Sequence, residues 1–200
     1  NEGRLVVPCD HMVGVYYDRQ RDPYHSHVIL SDDGGDTWRI GGIVEEGTNE
    51  CAIVEIADHS LYINCRNYRG EKRRAAARSQ DGGDSFESRI WVDEHPEPIC
   101  QGSMTSWPAD TNAKDTHATD RVLFANPANQ ESRSQLTVRR SDDGGQSWPT
   151  TRCLYEGPSA YSDLAICDSG QILCLYERGA DHAYETLTLA RFDEAWLAGE

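Results

Sequence analysis

The sequence predicts an all-β fold built from repeated sheets stacked about an axis. Three observations carry this. Short runs of apolar and β-branched residues alternate with Gly/Asp-rich turns along the whole chain, the pattern of strands joined by tight connections. One octapeptide recurs three times, at 31–38 (Ser31-Asp-Asp-Gly-Gly-Asp-Thr-Trp38), 79–86 (Ser79-Gln-Asp-Gly-Gly-Asp-Ser-Phe86) and 141–148 (Ser141-Asp-Asp-Gly-Gly-Gln-Ser-Trp148). The starts lie 48 and then 62 residues apart, and removing a polar stretch at 109–120 from the second interval leaves about 50 residues, the length of one four-stranded blade of a β-propeller. A blade cannot bury both faces alone, so blades stack side by side, and 200 residues hold roughly four of them.

Each box reads as a hairpin loop with its own anchor. Asp supplies a side chain that bonds its own backbone, and Gly-Gly tolerates positive φ. The Ser/Thr hydroxyl ties one arm to the other, and the aromatic packs under the turn. Asp33, Asp81 and Asp143 are therefore turn residues rather than metal ligands, and the spacing of a calcium loop is absent.

In order, Arg4–Pro8 opens as a strand, 10–23 is turn-rich, and His25–Leu30 runs into box one, with Thr37–Ile40 returning from it. Gly41-Gly42 and 45–48 form a loop. Glu50–Glu55 and Ser60–Cys65 make a hairpin around Ala57-Asp-His59. Arg73–Arg78 feeds box two and Ser88–Val92 leaves it. Gln101–Trp107 is a strand, and 109–120 is a surface loop. Arg121–Asn126 and Gln135–Arg139 lead into box three. Two strands flank the turn Cys167–Gly170, Tyr184–Ala190 follows, and Phe192–Leu197 is helical.

Composition narrows the function classes. A net charge of −15 argues against nucleic-acid binding, so an anion site must be made by a few placed arginines. No run of 18 apolar residues spans a membrane. No signal peptide is visible at Asn1, and a processed start would look the same. Seven cysteines cannot all pair within the chain, and they lack zinc spacing. They do not decide the compartment; an extracytoplasmic location, secreted or periplasmic, is favoured.

Four stretches between the boxes carry chemistry. They are Asn49-Glu50-Cys-Ala-Ile-Val-Glu55, Asn64-Cys-Arg66-Asn-Tyr68, Ser132-Arg133-Ser-Gln, and Gly157-Pro-Ser-Ala-Tyr161-Ser-Asp-Leu164 running on to Leu175-Tyr-Glu177-Arg-Gly179. Taken singly, each reads as ordinary surface or packing residues. Taken in order with the boxes, they resemble the exo-α-sialidases (neuraminidases) with Asp-box repeats, of bacterial and lysosomal type, from Arg4 to Trp196.

The resemblance implies a six-bladed β-propeller with an axial active site, of which this chain, read as a single domain over 1–200, holds about four blades, the C-terminal two-thirds. It implies that Tyr161 is the nucleophile and Glu50 the carboxylate that polarises it. It places Arg66 and Arg133 as the second and third members of an arginine triad gripping the sialic-acid carboxylate, Glu177 as the support of the first arginine, and Gln101 in the pocket lining. Neither metal nor organic cofactor is implied. The partners implied are sialylated glycoconjugates, hydrolysed with retention.

Two family parts have no counterpart here. They are the first arginine, in a Phe/Tyr-Arg-Ile-Pro stretch, and the acid/base aspartate, both upstream of the Arg4–Pro8 phrase in relatives. Arg4, Asp10 and Asp18 do not fit those motifs, so the domain reads as N-terminally incomplete and the fragment alone as inactive. Two other readings stand beside this one. A non-catalytic Asp-box propeller that binds glycans or proteins would explain the boxes and the missing acid, but not the joint retention of Glu50, Arg66, Arg133, Tyr161 and Glu177. A hydrolase of another 2-keto sugar acid is not separable by sequence.

Overall fold

The structure is a computed structural model that describes residues 3–15, 23–107 and 119–200. Of the expected 109–120 loop only the last two residues are described, and Asp18 also lies outside the described residues. The first sheet is β1 (Leu5–Met12), β2 (Tyr24–Ser31) and β3 (Arg39–Ile43), antiparallel and in chain order. The second is β4 (Thr48–Glu55), β5 (Leu61–Asn67), β6 (Arg73–Ser79) and β7 (Ile90–Pro96). A six-stranded sheet follows, with β8 (Ser103–Ser106), β9 (Val122–Pro127), β10 (Ser134–Ser141), β11 (Thr150–Ile166), β12 (Ile172–Arg178) and β13 (Thr186–Phe192). Its 17-residue β11 serves two blades, pairing with β10 from Thr150 to Pro158 and with β12 from Ser159 to Ile166. The described residues thus form four blade-like units.

Two sequence expectations are corrected. Gly41-Gly42, read as loop, lie inside β3 because box two docks there. Gly42 N–H donates to the Gly83 carbonyl at 2.7 Å, and a β-carbon on Gly41 would sit 2.6 Å from that oxygen. No side chain fits where two backbones approach so closely. Second, the strand beside the 167–170 turn is not separate; it continues back through Gly157-Pro158 to box three.

Why these runs form these strands follows from where alternate residues point. On β5, Tyr62 packs toward the third unit while Ile63 and Cys65 pack toward the first. On β6, Ala76 faces one way and Ala75 and Ala77 the other. On β9, Val122 and Phe124 face the second unit, and Leu123 and Ala125 face the fourth. Middle strands are buried on both faces, so they read as nearly continuous apolar runs. Each fully buried Leu, Ile or Phe contributes about 1.5–3 kcal/mol, which makes these three seams the main source of cohesion.

The boxes behave as anchors. In each, the first Ser hydroxyl donates to the Asp carboxylate, at 2.8, 2.8 and 2.7 Å, and accepts from the second Gly N–H. The later Thr37, Ser85 or Ser147 donates both hydroxyl and amide to the same Asp. Both glycines of every box have positive φ. Trp148 is buried beneath its turn, whereas Trp38 is 44% exposed and lies against its own loop through Nε1–H to the Gly35 carbonyl. Arg4 joins boxes one and two by donating to Asp32 at 2.6 Å and Asp84 at 2.9 Å, far in role from any anion site.

Helix α1 (Glu194–Ala198) closes the chain, two residues beyond the expected start. Asp193 caps it by accepting from Trp196 N–H at 2.8 Å, and left-handed Gly199 ends it.

Candidate active site

The leading strands of successive units, β1, β4, β8 and the second half of β11, contact one another in sequence. Side chains at their ends therefore converge although they are distant in the chain. Tyr161 on β11 donates its hydroxyl to Glu50 Oε1 on β4. Arg66 Nη1 on β5 donates to Glu50 Oε2 at 2.5 Å and to the Tyr161 hydroxyl oxygen at 3.1 Å. Arg133 approaches from the other side, its guanidinium carbon 5.7 Å from the Tyr161 ring centre. The phenol thus sits between two guanidiniums and one carboxylate.

Irregular register aims these groups. Thr48 pairs with Asn67 but Cys51 pairs with Cys65, so β4 carries one extra residue beside Arg66. Ser159 pairs with Arg178 but Ser162 pairs with Tyr176, so β11 carries one extra residue opposite Glu177. Such bulges break the two-residue alternation and redirect a side chain. Glu177 Oε2 accepts the Tyr161 backbone N–H at 3.0 Å across that bulge. Gln101 grips the next residue twice, donating to the Ser162 carbonyl at 3.0 Å and accepting the Ser162 N–H at 3.1 Å. Ser103 and Ser162 hydroxyls add a 2.8 Å contact. The Tyr161 ring rests on Cys100, Ala160 and Ala183.

All six residues singled out in the sequence are accordingly in or beside one cluster, but not in equivalent ways. Glu50, Arg66 and Tyr161 touch one another. Arg133 flanks the ring and is held by donating to the Tyr184 hydroxyl at 2.5 Å and the Ile99 carbonyl at 3.1 Å. Glu177 and Gln101 hold the backbone on which Tyr161 rides. Sequence reasoning missed Tyr184 and Ile99. Ile99 carries no local signal, although its positive φ of 58° marks a turn that aims its carbonyl. Tyr68, which closes the Asn64–Tyr68 stretch, is given no role there, and its ring lies 5.0 Å from the Arg66 guanidinium carbon.

Electrostatics fit a protonated phenol. Burial pushes the Tyr161 hydroxyl up to about 12, and the hydrogen bond and charge of Glu50 push the same way, while Arg66 opposes them. Burial works against the Arg66 charge, but Glu50, with smaller help from Tyr68 and Tyr161, more than offsets it. Asp10 on β1 accepts from Asn49 Nδ2–H at 2.8 Å, and its carboxyl is raised first by burial and then by neighbouring Glu50. Among the described residues no three His, Cys, Asp or Glu side chains are grouped to hold a metal ion, and no helix is long and apolar enough to cross a membrane.

Four stacked antiparallel units, Asp-box corners and a tyrosine–carboxylate–guanidinium cluster on the leading strands define a β-propeller protein of the Asp-box class. The chain belongs to the family of the BNR repeat-like domain, whose model matches residues 1–174. It is 37% identical over 172 residues to the "Sialidase" of Micromonospora viridifaciens, covering 86% of this chain and 26% of that protein. Among solved structures, the Hadza microbial sialidase Hz136 is 28% identical with a TM-score of 0.73, covering 96% of this chain and 35% of that one. A leech intramolecular trans-sialidase shares the fold at 21% identity and a TM-score of 0.72, covering all of this chain and 31% of its own. The chain thus spans about a quarter to a third of the length of these relatives.

Proposed function

We propose that this chain supplies the nucleophile and much of the anion grip of an exo-α-sialidase that removes terminal sialic acid from glycoconjugates with retention of configuration. The observation that carries the reading is the three-way contact of Tyr161, Glu50 and Arg66, brought together from strands of different units. The chemistry demands such a set. The anomeric carbon of sialic acid bears a carboxylate, which repels an anionic nucleophile, and sialidases accordingly use tyrosine. Tyr161, held as a neutral phenol, reaches that carbon without repulsion. As its oxygen forms the bond, its proton passes to Glu50, the general base. The glycosidic bond breaks, and the leaving oxygen takes a proton from an acid outside the residues assigned here. Water then releases the sugar from Tyr161, its proton passing to the group that protonated the leaving oxygen, and Glu50 returns the phenol's own proton. Arg66 and Arg133 bind the substrate carboxylate by charge-assisted hydrogen bonds. Glu177 and Gln101 fix the Tyr161 backbone.

The test is turnover of a fluorogenic α-sialoside by the protein that carries this chain, with the anomer of the released sugar read by NMR. Turnover with retention, abolished by Tyr161→Phe, is expected. The 200-residue chain alone is expected to be inactive, for lack of the first arginine and the acid. Unchanged turnover by the Phe variant, or inversion, overturns the reading.

A further inference from the structure

Beneath the cluster lies an ion pair that the proposed chemistry does not use. Arg74 on β6 and Glu97, just after β7, are 0% and 1% exposed and meet at 3.0 Å. Removing two charges from water costs more than their attraction usually returns, so a wholly buried pair is weak evidence of stabilisation and invites another explanation. The partners of this pair supply one. Glu97 Oε1 accepts both the backbone N–H and the side-chain N–H of Asn67, each at 2.9 Å, and Asn67 immediately follows Arg66. Arg74 donates to the Asn64 side-chain oxygen at 2.7 Å, two residues before Arg66. It also donates to the Cys100 carbonyl at 2.6 Å. Cys100 sits between Ile99, whose carbonyl holds Arg133, and Gln101, which grips Ser162 next to Tyr161.

We infer that Arg74 and Glu97 form a positioning unit that sets Arg66, Arg133 and the Tyr161 strand relative to one another. The inference rests on the reading of those three residues as the site. Glu97 and Arg74 both clamp the Arg66 strand, at Asn67 and Asn64, and Arg74 also clamps the 99–101 turn that reaches both Arg133 and Tyr161. Geometry favours this over simple packing. Arg74 spends its donors on two separate chain segments, and Glu97 uses one oxygen on Asn67 and the other on Arg74. Burial raises the Glu97 carboxyl while Arg74 draws it back, as a bound pair requires. A hydrophobic pair of similar size would fill the space but would place neither segment.

The test uses nitrogen-15 NMR of the arginine side chains and of the Asn67 amide, which needs no sialoside. Arg66→Lys and Arg133→Lys assign the signals. In the wild type, the held Arg66 and Arg133 guanidiniums are expected to give distinct Nη signals. The double variant Arg74→Met/Glu97→Met removes both charges together, the substitution that buried pairs tolerate best. It is expected to melt cooperatively yet to average the Nη signals of both arginines. Its Asn67 amide should exchange at least about tenfold faster, while the Ala76 amide in mid-β6 changes little. Glu97→Gln, which keeps the shape, should release Asn67 and Arg66 with a smaller effect on Arg133. Distinct Nη signals and an unchanged Asn67 amide in either folded variant overturn the inference, whatever the melting temperature does. So does failure of both variants to fold, since the pair would then serve folding rather than position. Absence of sialoside turnover by the protein that carries this chain, with these NMR results intact, refutes the proposed function alone.

Discussion

Glu50→Gln tests the core of the site directly. In the wild type the Tyr161 phenol is pushed up to about 12, first by burial and then by the Glu50 hydrogen bond and charge. Glutamine retains the shape and an acceptor oxygen but deletes the charge. Burial persists, so the titration should fall without dropping far below the ordinary tyrosine value of about 10. Tyr161 is only partly buried, and water screens part of the Glu50 charge, so a fall of about one unit is expected rather than the whole displacement. Arg66, relieved of its carboxylate partner, acts in the same downward direction. The sign carries to stability. A phenol raised in the folded state adds stability that is complete below pH about 10 and is lost as pH rises through about 12. Glu50→Gln should narrow that window from its upper end, so the variant loses stability over a shorter pH interval. The assay is a carbon-13 titration of ring-labelled tyrosine, with Tyr161→Phe identifying the resonance among nine tyrosines. A folded Glu50→Gln chain in which Tyr161 titrates where it did, or higher, refutes the argument that Glu50 holds the phenol proton.

Two further predictions concern the frame. Asp81 is held down at about 2, first by the Ser85 hydroxyl and then by the Ser85 amide, so its stabilisation is present above pH about 4 and fades as pH falls through 2. Asp81→Asn should lower the melting temperature at pH 7 by about 2–4 °C, for a loss on the order of 1 kcal/mol, and the gap should close near pH 2; a gap independent of pH counts against the box chemistry. Gly41→Ala places a β-carbon 2.6 Å from the Gly83 carbonyl oxygen and 2.7 Å from Leu30 Cδ1. It should cost about 1–3 kcal/mol in thermal or urea unfolding, and a neutral result would show that box two does not dock tightly on the first sheet.

Much of the frame was legible locally. Asp-Gly-Gly dictates its own turn, and all three boxes close with the same hydrogen bonds because every partner lies within eight residues. Strand positions were legible because alternation and turn residues are short-range signals. Gly41-Gly42 were misread because the reason for glycine there is the backbone of box two, 42 residues away at Gly83. Gly157-Pro158 suggested no continuous strand, since glycine and proline break local β patterns; the bulged pairing of β11 with β10 near Tyr155 and Pro158 absorbs both.

The candidate site divides in the same way. The residue types Tyr, Glu and Arg, in order between the boxes, could be picked out from the sequence by their resemblance to a family. Their contacts could not. Tyr161 and Glu50 are 111 residues apart and Tyr161 and Arg66 are 95 apart. Their meeting depends on how four units stack and on one extra residue in each of two strands. Nor could sequence show that Arg74 and Glu97 are wholly buried together, since charged residues in a polar segment read as surface. By itself the sequence determined the turns, the strand order and the chemical inventory, all set by covalent geometry and nearest neighbours. The tertiary structure decided which carboxylate meets which guanidinium, because register, bulging and sheet stacking are settled only when the apolar seams between units are buried.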